Sequence, residues 1–464
     1  MRLLLVWLAL FGVYAATLGL HSFGRSEFGG DEPHYLLIAE SIVSDGDVDL
    51  TDQYRDRDYA AFYPEVLDPH GRPTAGRLNE PHGVGFPLLI APAYALAGPT
   101  GVQLLMAAIA ALAFVLAIRM ARRLVPDPWA TAGPLVVALS PPALAYGTAV
   151  YPELAAAALL LGAALATLRA REHPRVRTAA GAGLMLALLP WLGTKYLVPG
   201  ALVGFLLVRW MVRRDRGLAG LIAAEVVFSS LVAFVTVNDR LFGGLTPYAA
   251  QTGPDDATGA AFPVGYLDRA YRLVALWIDR DYGLLRWAPF LALAFVAIWL
   301  LWRSRRDRIA RALPERWEVE AAGALLAAIL AGTLLVAAFG SPAMVGFWFP
   351  GRHLIAALPA VGALAAWGLR AVPRWLGVVL GALTLGASVW LYLELRLGET
   401  GWVAPSSSAP WGPLEGVFPL YGPGTGPWPA VATLLVCAGL LALAIVEWRH
   451  WRQIAGAPRR AYPE

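Results

Sequence analysis

Long apolar runs recur along the whole chain, and they limit its fold more than any other feature of the sequence. Many of these runs approach the ~20 residues that a helix needs to cross a bilayer. Because lipid offers no hydrogen-bonding partners, a segment inside it satisfies its backbone groups by forming a helix. Only 15% of the residues are charged, whereas soluble domains average about 25%. The sequence therefore predicts an all-α, polytopic membrane protein.

Twelve apolar runs are interpreted as transmembrane helices. The predicted spans are residues 3–20, 101–121, 129–146, 153–169, 178–192, 197–212, 218–237, 284–302, 319–339, 352–369, 375–393 and 429–447. The third to sixth are the least regular, because they are short or are interrupted by proline. The first run lacks a small-residue cleavage site, so it is predicted to be an anchor and not a cleaved signal peptide.

Arginine clusters fall in alternate loops between these spans, for example "RMARR", "RWMVRRDR" and "WRSRRDRIAR". The positive-inside rule predicts that such loops face the cytoplasm. We therefore expect a cytoplasmic-membrane protein with both termini in the cytoplasm. This role in topology and headgroup contact explains the clusters, so no nucleic-acid partner is expected. The one cysteine, Cys437, excludes a disulfide framework and a metal site built from several thiolates.

Three long segments then lie on the outer side, at residues 21–100, 238–283 and 394–428. The first contains "EPHYLLIAESIVSDG" and "GVGFPLLIAPAYALAG", two hydrophobic stretches too short to span, which predict helices lying in the membrane interface. The third is rich in Pro, Gly and Ser, which predicts a covering loop without regular structure. We expect the whole chain, residues 1–464, to form one integral-membrane domain.

Acidic residues are scarce, yet the stretch "EFGGDEPHYLL" has Asp31 and Glu32 side by side just after the first span. The preceding glycines permit close approach, and Pro33 begins a predicted helix with Asp31 near its N-cap. A carboxyl group close to the apolar phase and to a second acid can acquire a pKa suited to proton transfer. In "YGTAVYPELAAA", Glu153 opens the fourth span, where it is either a functional acid at membrane depth or a first-turn helix acid.

Cations are equally few on the outer side. Lys195, the only lysine in the chain, follows the fifth predicted span, where its ammonium suits a phosphate oxygen or a carboxylate. Arg352, followed by His353, opens the tenth span, and its guanidinium is a natural fork for phosphate. Tyr282 and Arg286, at the start of the eighth span, are supporting candidates. Together these residues indicate a reaction on a lipid phosphate at the outer face of the membrane.

Histidine is concentrated in the predicted outer segments. Five of the seven histidines lie on the predicted outer side: His21, His34, His70 and His82 in the first outer segment, and His353 at the outer end of the tenth span. No HxxxH or HExxH spacing is present to hold ligands on one helix face. A required metal or other cofactor is therefore not predicted, and a divalent cation near Asp31 and Glu153 stays open as an alternative. His34 is counted with the supporting candidates, because it stands close to the acid pair in sequence.

With these motifs in this order, the chain resembles the GT-C superfamily of integral-membrane glycosyltransferases. That superfamily includes protein O-mannosyltransferases, lipid A aminoarabinose transferases and actinobacterial arabinosyl- and mannosyltransferases. The resemblance rests on the pair Asp31 and Glu32 in a long first outer loop and on Glu153 after the third span. It continues in the "TK" after the fifth span, in "YGLLRWAPFLAL" and in "PGRHL" around Arg352. One departure is Glu153, where relatives often have Asp.

The resemblance implies a GT-C fold, a polyprenyl-phosphate-linked sugar as donor, and a hydroxyl-bearing acceptor, which is a glycan, a lipid or a protein. It also implies inversion at the anomeric carbon by a hexosyl- or pentosyltransferase. In this scheme Asp31 accepts the proton of the acceptor, with Glu32 orienting it. Lys195 and Arg352 bind the donor phosphate, and apolar spans among the membrane lipids hold the polyprenyl chain. Two alternatives stay open: a transporter or flippase of lipid-linked sugars, and an O-antigen-ligase-like transferase that uses a lipid diphosphate donor.

Overall fold

Helices joined by turns and irregular segments make up the described structure. The computed structural model describes residues 2–74, 76–251, 266–311, 317–341, 343–403, 416–422 and 424–456. The α-helices are, in chain order, α1 (Arg2–Ala15), α2 (Glu32–Ser44), α3 (Thr51–Asp56), α4 (Gly85–Ala121), α5 (Trp129–Ala138), α6 (Pro141–Gly147), α7 (Glu153–Glu172), α8 (Val176–Leu192), α9 (Leu197–Val212), α10 (Gly217–Phe242), α11 (Arg272–Ile278), α12 (Leu284–Trp287), α13 (Leu293–Arg311), α14 (Trp317–Leu335), α15 (Leu358–Ala371), α16 (Arg374–Leu397) and α17 (Trp428–Gly456). Short 3₁₀ turns precede α9 (Thr194–Tyr196) and α15 (Arg352–Ala357). The all-α prediction is confirmed for the described residues.

Most of these helices are apolar enough for a membrane. Eight helical segments in the described part of the chain have the length and composition to cross one. They are Gly85–Ala121, Glu153–Glu172, Thr194–Val212, Gly217–Ala250, Val319–Gly340, Arg352–Ala371, Arg374–Leu397 and Trp428–His450. Four further apolar helices are shorter, namely Arg2–Ala15, Trp129–Ala138, Val176–Leu192 and Pro289–Ser304. Each predicted span overlaps one of these helices, and the chain is a multi-pass membrane protein. The count of twelve crossing helices is not confirmed.

The predicted third span, residues 129–146, is two helices and not one. Helix α5 ends at Ala138, and Ser140 has an extended backbone with φ −75° and ψ 156°. Prolines 141 and 142 then begin α6. A proline lacks the N–H for a helical hydrogen bond and disfavours the helical conformation of the residue before it. The "SPP" sequence therefore breaks the helix at this point.

Both helices predicted in the first outer loop are present. Helix α2 covers the first hydrophobic stretch, and the beginning of α4 covers the second. Helix α4 is interrupted by non-helical backbone at Ala97 and Gly98, just before the predicted second span at residue 101. Their location in the membrane interface stays a prediction. The Pro-, Gly- and Ser-rich stretch of the third outer segment, residues 404–415, lies outside the described residues.

Small residues allow the central helices to pack closely. Helix α15 packs against α5 and α13, and α7 packs against α4 and α8. The buried face of α15 is largely alanine, at Ala360, Ala363, Ala365 and Ala366. Lipid supplies no hydrophobic driving force between helices, so close packing of small side chains is what stabilises such a bundle. The result is a rigid centre on which charged side chains at the helix ends can be held in place.

The two ends of helix α7 carry different sets of charged residues. The helix has 20 residues, which corresponds to a length of about 30 Å at 1.5 Å per residue. At its C-terminal end Glu172 pairs with Arg123, which follows α4, and Arg169 and Arg171 lie in the same last turn. At its N-terminal end is Glu153, and the other predicted acids and cations lie around it.

Candidate active site

Four charged side chains from distant parts of the chain meet at the N-terminal end of α7. Arg352 donates through Nη2 to Oδ2 of Asp31 at 2.5 Å and through Nε to Oε1 of Glu153 at 3.3 Å. Lys195 donates through Nζ to the same Oε1 of Glu153 at 2.7 Å. Anion and cation alternate in the order Asp31, Arg352, Glu153, Lys195. We call these four residues the charge row.

The backbone brings each member of the row to the end of a helix. Asp31 lies at the N-cap of α2, and its carboxylate makes no capping bond, which leaves it for Arg352. The preceding Gly30 has φ 58°, and a Cβ built there would lie 2.6 Å from Oη of Tyr151. Only glycine fits so close an approach with a left-handed backbone. The other three members also lie at helix starts or in short turns: Glu153 opens α7, while Lys195 and Arg352 lie in the 3₁₀ turns before α9 and α15.

Aromatic rings hold the Arg352 guanidinium from its faces. Its Cζ lies 4.1 Å from the ring centroid of Tyr151 and 5.1 Å from that of Trp348. Stacking of this kind suits arginine, because the planar group keeps its N–H edge directed at oxygen atoms. The whole residue is only 6% exposed. The sequence analysis missed Tyr151 and Trp348, although each lies within four positions of a predicted charged residue, in "YPE" and "WFPGR".

The two acids of the predicted pair have different surroundings. Burial alone would raise the pKa of Asp31, but the Arg352 guanidinium, with His82 and His34 nearby, holds it well below its usual range. Glu32 accepts backbone N–H bonds from Gly29 at 2.9 Å and from Val150 at 2.7 Å. Burial nevertheless raises the pKa of Glu32 to about 7. Glu32 therefore joins the start of α2 to the segment before α7, while Asp31 faces the row.

Exposure distinguishes the two carboxylates of the row. The side chain of Asp31 is 25% exposed, whereas that of Glu153 is 2% exposed. Oε2 of Glu153 has no hydrogen-bond partner among the described residues. An incoming molecule can therefore reach Asp31 but not Glu153. Glu153 instead lies where it can fix the two cations relative to each other.

An apolar cavity begins beside the row. It has a volume of about 440 Å³ and is lined by residues of α8, α9 and α10, among them Leu189, Gly200, Phe205 and Val227. Tyr196 is part of its wall, and Nζ of Lys195 lies 5.3 Å from the centroid of the Tyr196 ring. The Lys195 side chain remains 28% exposed. A cation thus lies at the edge of a cavity whose wall is almost entirely hydrocarbon.

The remaining predicted residues lie around the row and not within it. His353 is next to Arg352, with Nδ1 3.3 Å from Oγ of Ser341 and its ring 5.5 Å from that of Trp348. Tyr282 donates to the carbonyl of Gly346 at 2.7 Å, close to Trp348 in sequence. Both contacts support the segment that carries Trp348.

Arg286 has a different local role. It donates to the carbonyl of Arg280 at 2.5 Å and lies 3.6 Å from Asp281. Its guanidinium also lies 5.3 Å from the Trp287 ring, so it contributes to the packing of α12.

His34 belongs to a second group of polar side chains, in the first outer loop. Ligand-type atoms of His34, His70, Glu80 and His82 all lie within 4.8 Å of one another. The sequence left open a divalent cation near Asp31 and Glu153. In the described part of the chain no cluster of metal-ligand atoms lies around these two carboxylates, and both accept hydrogen bonds from Arg352. The sequence analysis did not combine these four residues, because they follow no helical spacing.

Comparison with known proteins gives two similar solved structures. No protein-family model matches the chain, and no curated protein matches it. ArnT from Cupriavidus metallidurans in the apo state aligns with 15% identity and a TM-score of 0.49, over 97% of this chain and 73% of that one. ArnT from the same organism bound to undecaprenyl phosphate aligns with 16% identity and a TM-score of 0.47, over 97% and 74%.

Proposed function

We propose that this protein is an inverting glycosyltransferase that moves a monosaccharide from a polyprenyl-phosphate donor to a hydroxyl group of a glycan, lipid or protein. The charge row carries the proposal, because it combines an accessible carboxylate with two cations, and one of these, Lys195, lies beside Tyr196 in the wall of an apolar cavity. The reaction breaks the bond between the anomeric carbon and the phosphate oxygen. It forms a bond from the same carbon to the acceptor oxygen, whose proton goes to Asp31.

Lys195 and Arg352 are the proposed ligands of the donor phosphate. A sugar-linked phosphate carries one negative charge, and the departing polyprenyl phosphate gains a second. Cations fixed before the reaction stabilise this developing charge more than the ground state, which lowers the barrier. A phosphate is stable as an anion, so the leaving group needs no general acid. The buried Glu153 accepts hydrogen bonds from both cations on one oxygen atom. It thereby fixes the positions of the two cations relative to each other, ready for the phosphate.

Asp31 is the proposed general base, and the donor itself would activate it. In the row, Arg352 lowers the pKa of Asp31, which makes this carboxylate a weak base. A donor phosphate that draws the guanidinium away would remove this interaction and add a negative charge nearby. Both changes raise the pKa of a carboxyl group. Asp31 would then accept a proton only when the donor is in place.

The apolar cavity is the proposed site for the first isoprene units of the donor. It lies between α8, α9 and α10, and its wall includes Tyr196, the residue that follows Lys195. Burial of hydrocarbon there would contribute about 25 cal/mol per Å² of apolar area removed from water. The tail would thus be held on the hydrocarbon side of the row and the sugar on its polar side.

The position of the row at helix ends favours an enzyme over a transporter. Transporters hold ionisable residues near the bilayer midplane, on broken helices. Here Glu153 is the first residue of α7, and the Arg123–Glu172 pair lies at the far end of the same helix. We propose that the arginine-rich end faces the cytoplasm and that the row lies at the outer face of the cytoplasmic membrane.

The test is a transfer assay with the purified full chain in lipid nanodiscs. Donors are polyprenyl-phosphate hexoses and pentoses and one polyprenyl diphosphate sugar, offered with a panel of hydroxyl acceptors. We expect transfer from a monophosphate donor, with the anomeric configuration inverted in the product by NMR. Asp31→Asn should lower kcat by about 10²–10⁴-fold while donor binding is kept, because the base is lost and both phosphate-binding cations remain. Arg123→Gln, at the opposite end of the bundle, is the matched control and should transfer at the wild-type rate.

Three results would overturn the proposal. Full activity in Asp31→Asn would exclude this carboxylate as the base. Transfer from the diphosphate donor alone would favour the ligase-like alternative. Movement of a lipid-linked sugar across the membrane of proteoliposomes, with no transfer from any donor, would favour the transporter.

A further inference from the structure

Three imidazoles and one carboxylate come together in the first outer loop, outside the charge row. His34 lies on the first turn of α2, and the other three come from residues 70–82, before α4. The ring centroids of His34 and His70 are 4.1 Å apart, and each lies 5.3–5.5 Å from the ring of His82. His34 and Glu80 are buried, His82 is partly buried and His70 is exposed at the rim. We call these four residues the histidine cluster.

The distances within the cluster match those around a small metal ion. Nδ1 of His70 lies 3.3 Å from Nε2 of His82, which lies 3.8 Å from Oε2 of Glu80. In a tetrahedral site with bonds of about 2.0–2.1 Å, neighbouring ligand atoms are about 3.3–3.4 Å apart. All four residues offer a ligand atom within a 4.8 Å limit. Small side-chain movements would therefore complete a tetrahedron.

One oxygen of Glu80 has no hydrogen-bond partner although it is buried. Oε1 accepts from the hydroxyl of Tyr54 at 2.6 Å and from the backbone N–H of His70 at 3.0 Å. Oε2 has less than 1 Å² of exposed surface and no hydrogen bond among the described residues. The Glu80 side chain as a whole is 0% exposed. A buried carboxylate oxygen without a donor is costly, and a cation beside the imidazoles would satisfy it.

The backbone of the loop is built so that these residues meet. A Cβ on Gly71 would lie 2.1 Å from the carbonyl oxygen of Asn79, so only glycine allows these two segments of the loop to come into contact. This contact brings His70 next to Glu80. Asn79 is itself held by a bond from its Nδ2 to the carbonyl of Leu241 on α10 at 2.7 Å. The hydroxyl of Tyr54, 2.8 Å from Nδ1 of His34, links that ring to Glu80, as hydrogen bonds commonly orient metal ligands.

We propose that the histidine cluster is a divalent transition-metal site of the Zn²⁺ type, with His34, His70, His82 and Glu80 as ligands. Three imidazole nitrogens and one carboxylate oxygen form a donor set that suits Zn²⁺, whereas Mg²⁺ and Ca²⁺ prefer oxygen ligands alone. Four protein ligands close the coordination shell, which is the pattern of a structural site. The ion ties the loop at residues 70–82 to the start of α2. This site is separate from the sugar transfer proposed above and does not depend on it.

The experiment measures metal directly. The full chain is purified without a polyhistidine tag, incubated with ZnCl₂, and freed of excess metal by gel filtration. We expect about one zinc per chain by elemental analysis, and stabilisation by Zn²⁺ in a thermal unfolding scan, because an ion that binds only the folded state stabilises it. Loading with Co²⁺ should give the intense visible absorption of a tetrahedral centre.

His70→Ala is the decisive variant, because His70 is the exposed member of the cluster. We expect at least about tenfold weaker Zn²⁺ binding in a competition titration, together with loss of the tetrahedral Co²⁺ spectrum. Glu80→Gln should behave in the same way. His173→Ala removes an exposed histidine after α7, at the opposite end of the bundle, and is the matched control with unchanged binding. Zinc retained with wild-type affinity in His70→Ala, or far less than one zinc in the wild type, would overturn the proposal.

Discussion

The charge row and the histidine cluster are both polar sites, yet they are assembled in opposite ways. The row joins Asp31 to Arg352 across 321 positions of sequence, and it also takes one residue from the start of α7 and one from the turn before α9. The cluster is built within one segment of the chain, between positions 34 and 82. Asp31 and His34 are only three residues apart, so one short stretch at the start of α2 contributes to both.

The two sites also differ in how their charges are balanced. In the row two carboxylates face two cations, and the described contacts run from cation to anion without a break. The cluster instead has one carboxylate among three imidazoles, and one oxygen of that carboxylate has no hydrogen-bond partner among the described residues. A balanced row is stable without ligand and can exchange one anion for another, as phosphate binding requires. A cluster rich in lone pairs is suited to a cation.

The largest effect should come from removing the centre of the row. Arg352→Met leaves two carboxylates without their shared guanidinium, one of them fully buried. Breaking a buried ion pair in this way costs about 3–5 kcal/mol of stability. We expect a marked drop in the unfolding temperature and loss of measurable transfer, with zinc binding retained in the protein that remains folded.

Arg370→Met is the matched control, because Arg370 is an exposed arginine in the last turn of α15. Arg352→Lys separates charge from shape: it keeps the cation and loses the planar fork, so we expect partial activity. Wild-type transfer in Arg352→Met would show that the row is not part of the active site.

A smaller effect is expected from the far end of the row, and it tests whether Lys195 and Glu153 act together. Lys195→Met, Glu153→Gln and the double variant form a mutant cycle for the 2.7 Å pair. Because Glu153 holds the ammonium for the phosphate, the double variant should lose less than the sum of the single losses. A coupling energy of about 0.5–3 kcal/mol in kcat/KM for the donor is expected for such a contact.

Donor KM and kcat are measured separately for each variant of this cycle. Lys195→Met should change both, because the ammonium contacts the phosphate in the ground state and in the transition state. If the losses of transfer activity in the two single variants added up exactly in the double variant, Glu153 would not act through Lys195. Glu153 would then have only a structural role.

The smallest effect on transfer should come from a change in the histidine cluster. Tyr54→Phe removes the hydroxyl between His34 and Glu80 and leaves all four proposed ligands in place. Loss of such an orienting bond weakens metal binding by about 10–100-fold, measured here by Zn²⁺ competition. Transfer with excess zinc present should stay within about twofold of wild type, because Tyr54 does not touch the row. Tyr63→Phe is the control in the same loop, and equal zinc affinity in the two variants would contradict the assignment.

Sequence patterns identified the parts of the row but not their pairing. The acid pair, the lone lysine and the "PGR" arginine were recognisable, because each lies at the predicted outer end of a span. The rings of Tyr151 and Trp348 were not, since nothing in the sequence indicates which aromatic side chains stack on which arginine. Residues 129–146 were predicted as a single span although its prolines marked it as irregular, because the sequence does not show whether proline kinks a helix or ends it, as it does at Ser140.

The histidine cluster shows a second limit of sequence patterns. Ligands on one helix would repeat every three or four residues and could be recognised from spacing. These ligands come instead from a helix start and an irregular loop. Two segments of that loop can meet because Gly71 has no side chain. Such contacts depend on the path of the backbone in three dimensions, which the spacing of residues in the sequence does not predict.

By itself, the sequence determined that this is a helical membrane protein with few charges and with its arginine clusters in alternate loops. These properties are local, because the transfer of each segment into lipid depends on its own composition and length. The tertiary structure decided which charges neutralise one another, which carboxylate stays accessible, and which histidines come within reach of one ion. Those outcomes depend on how helices pack across hundreds of residues, and the close packing of small side chains sets the distances between them.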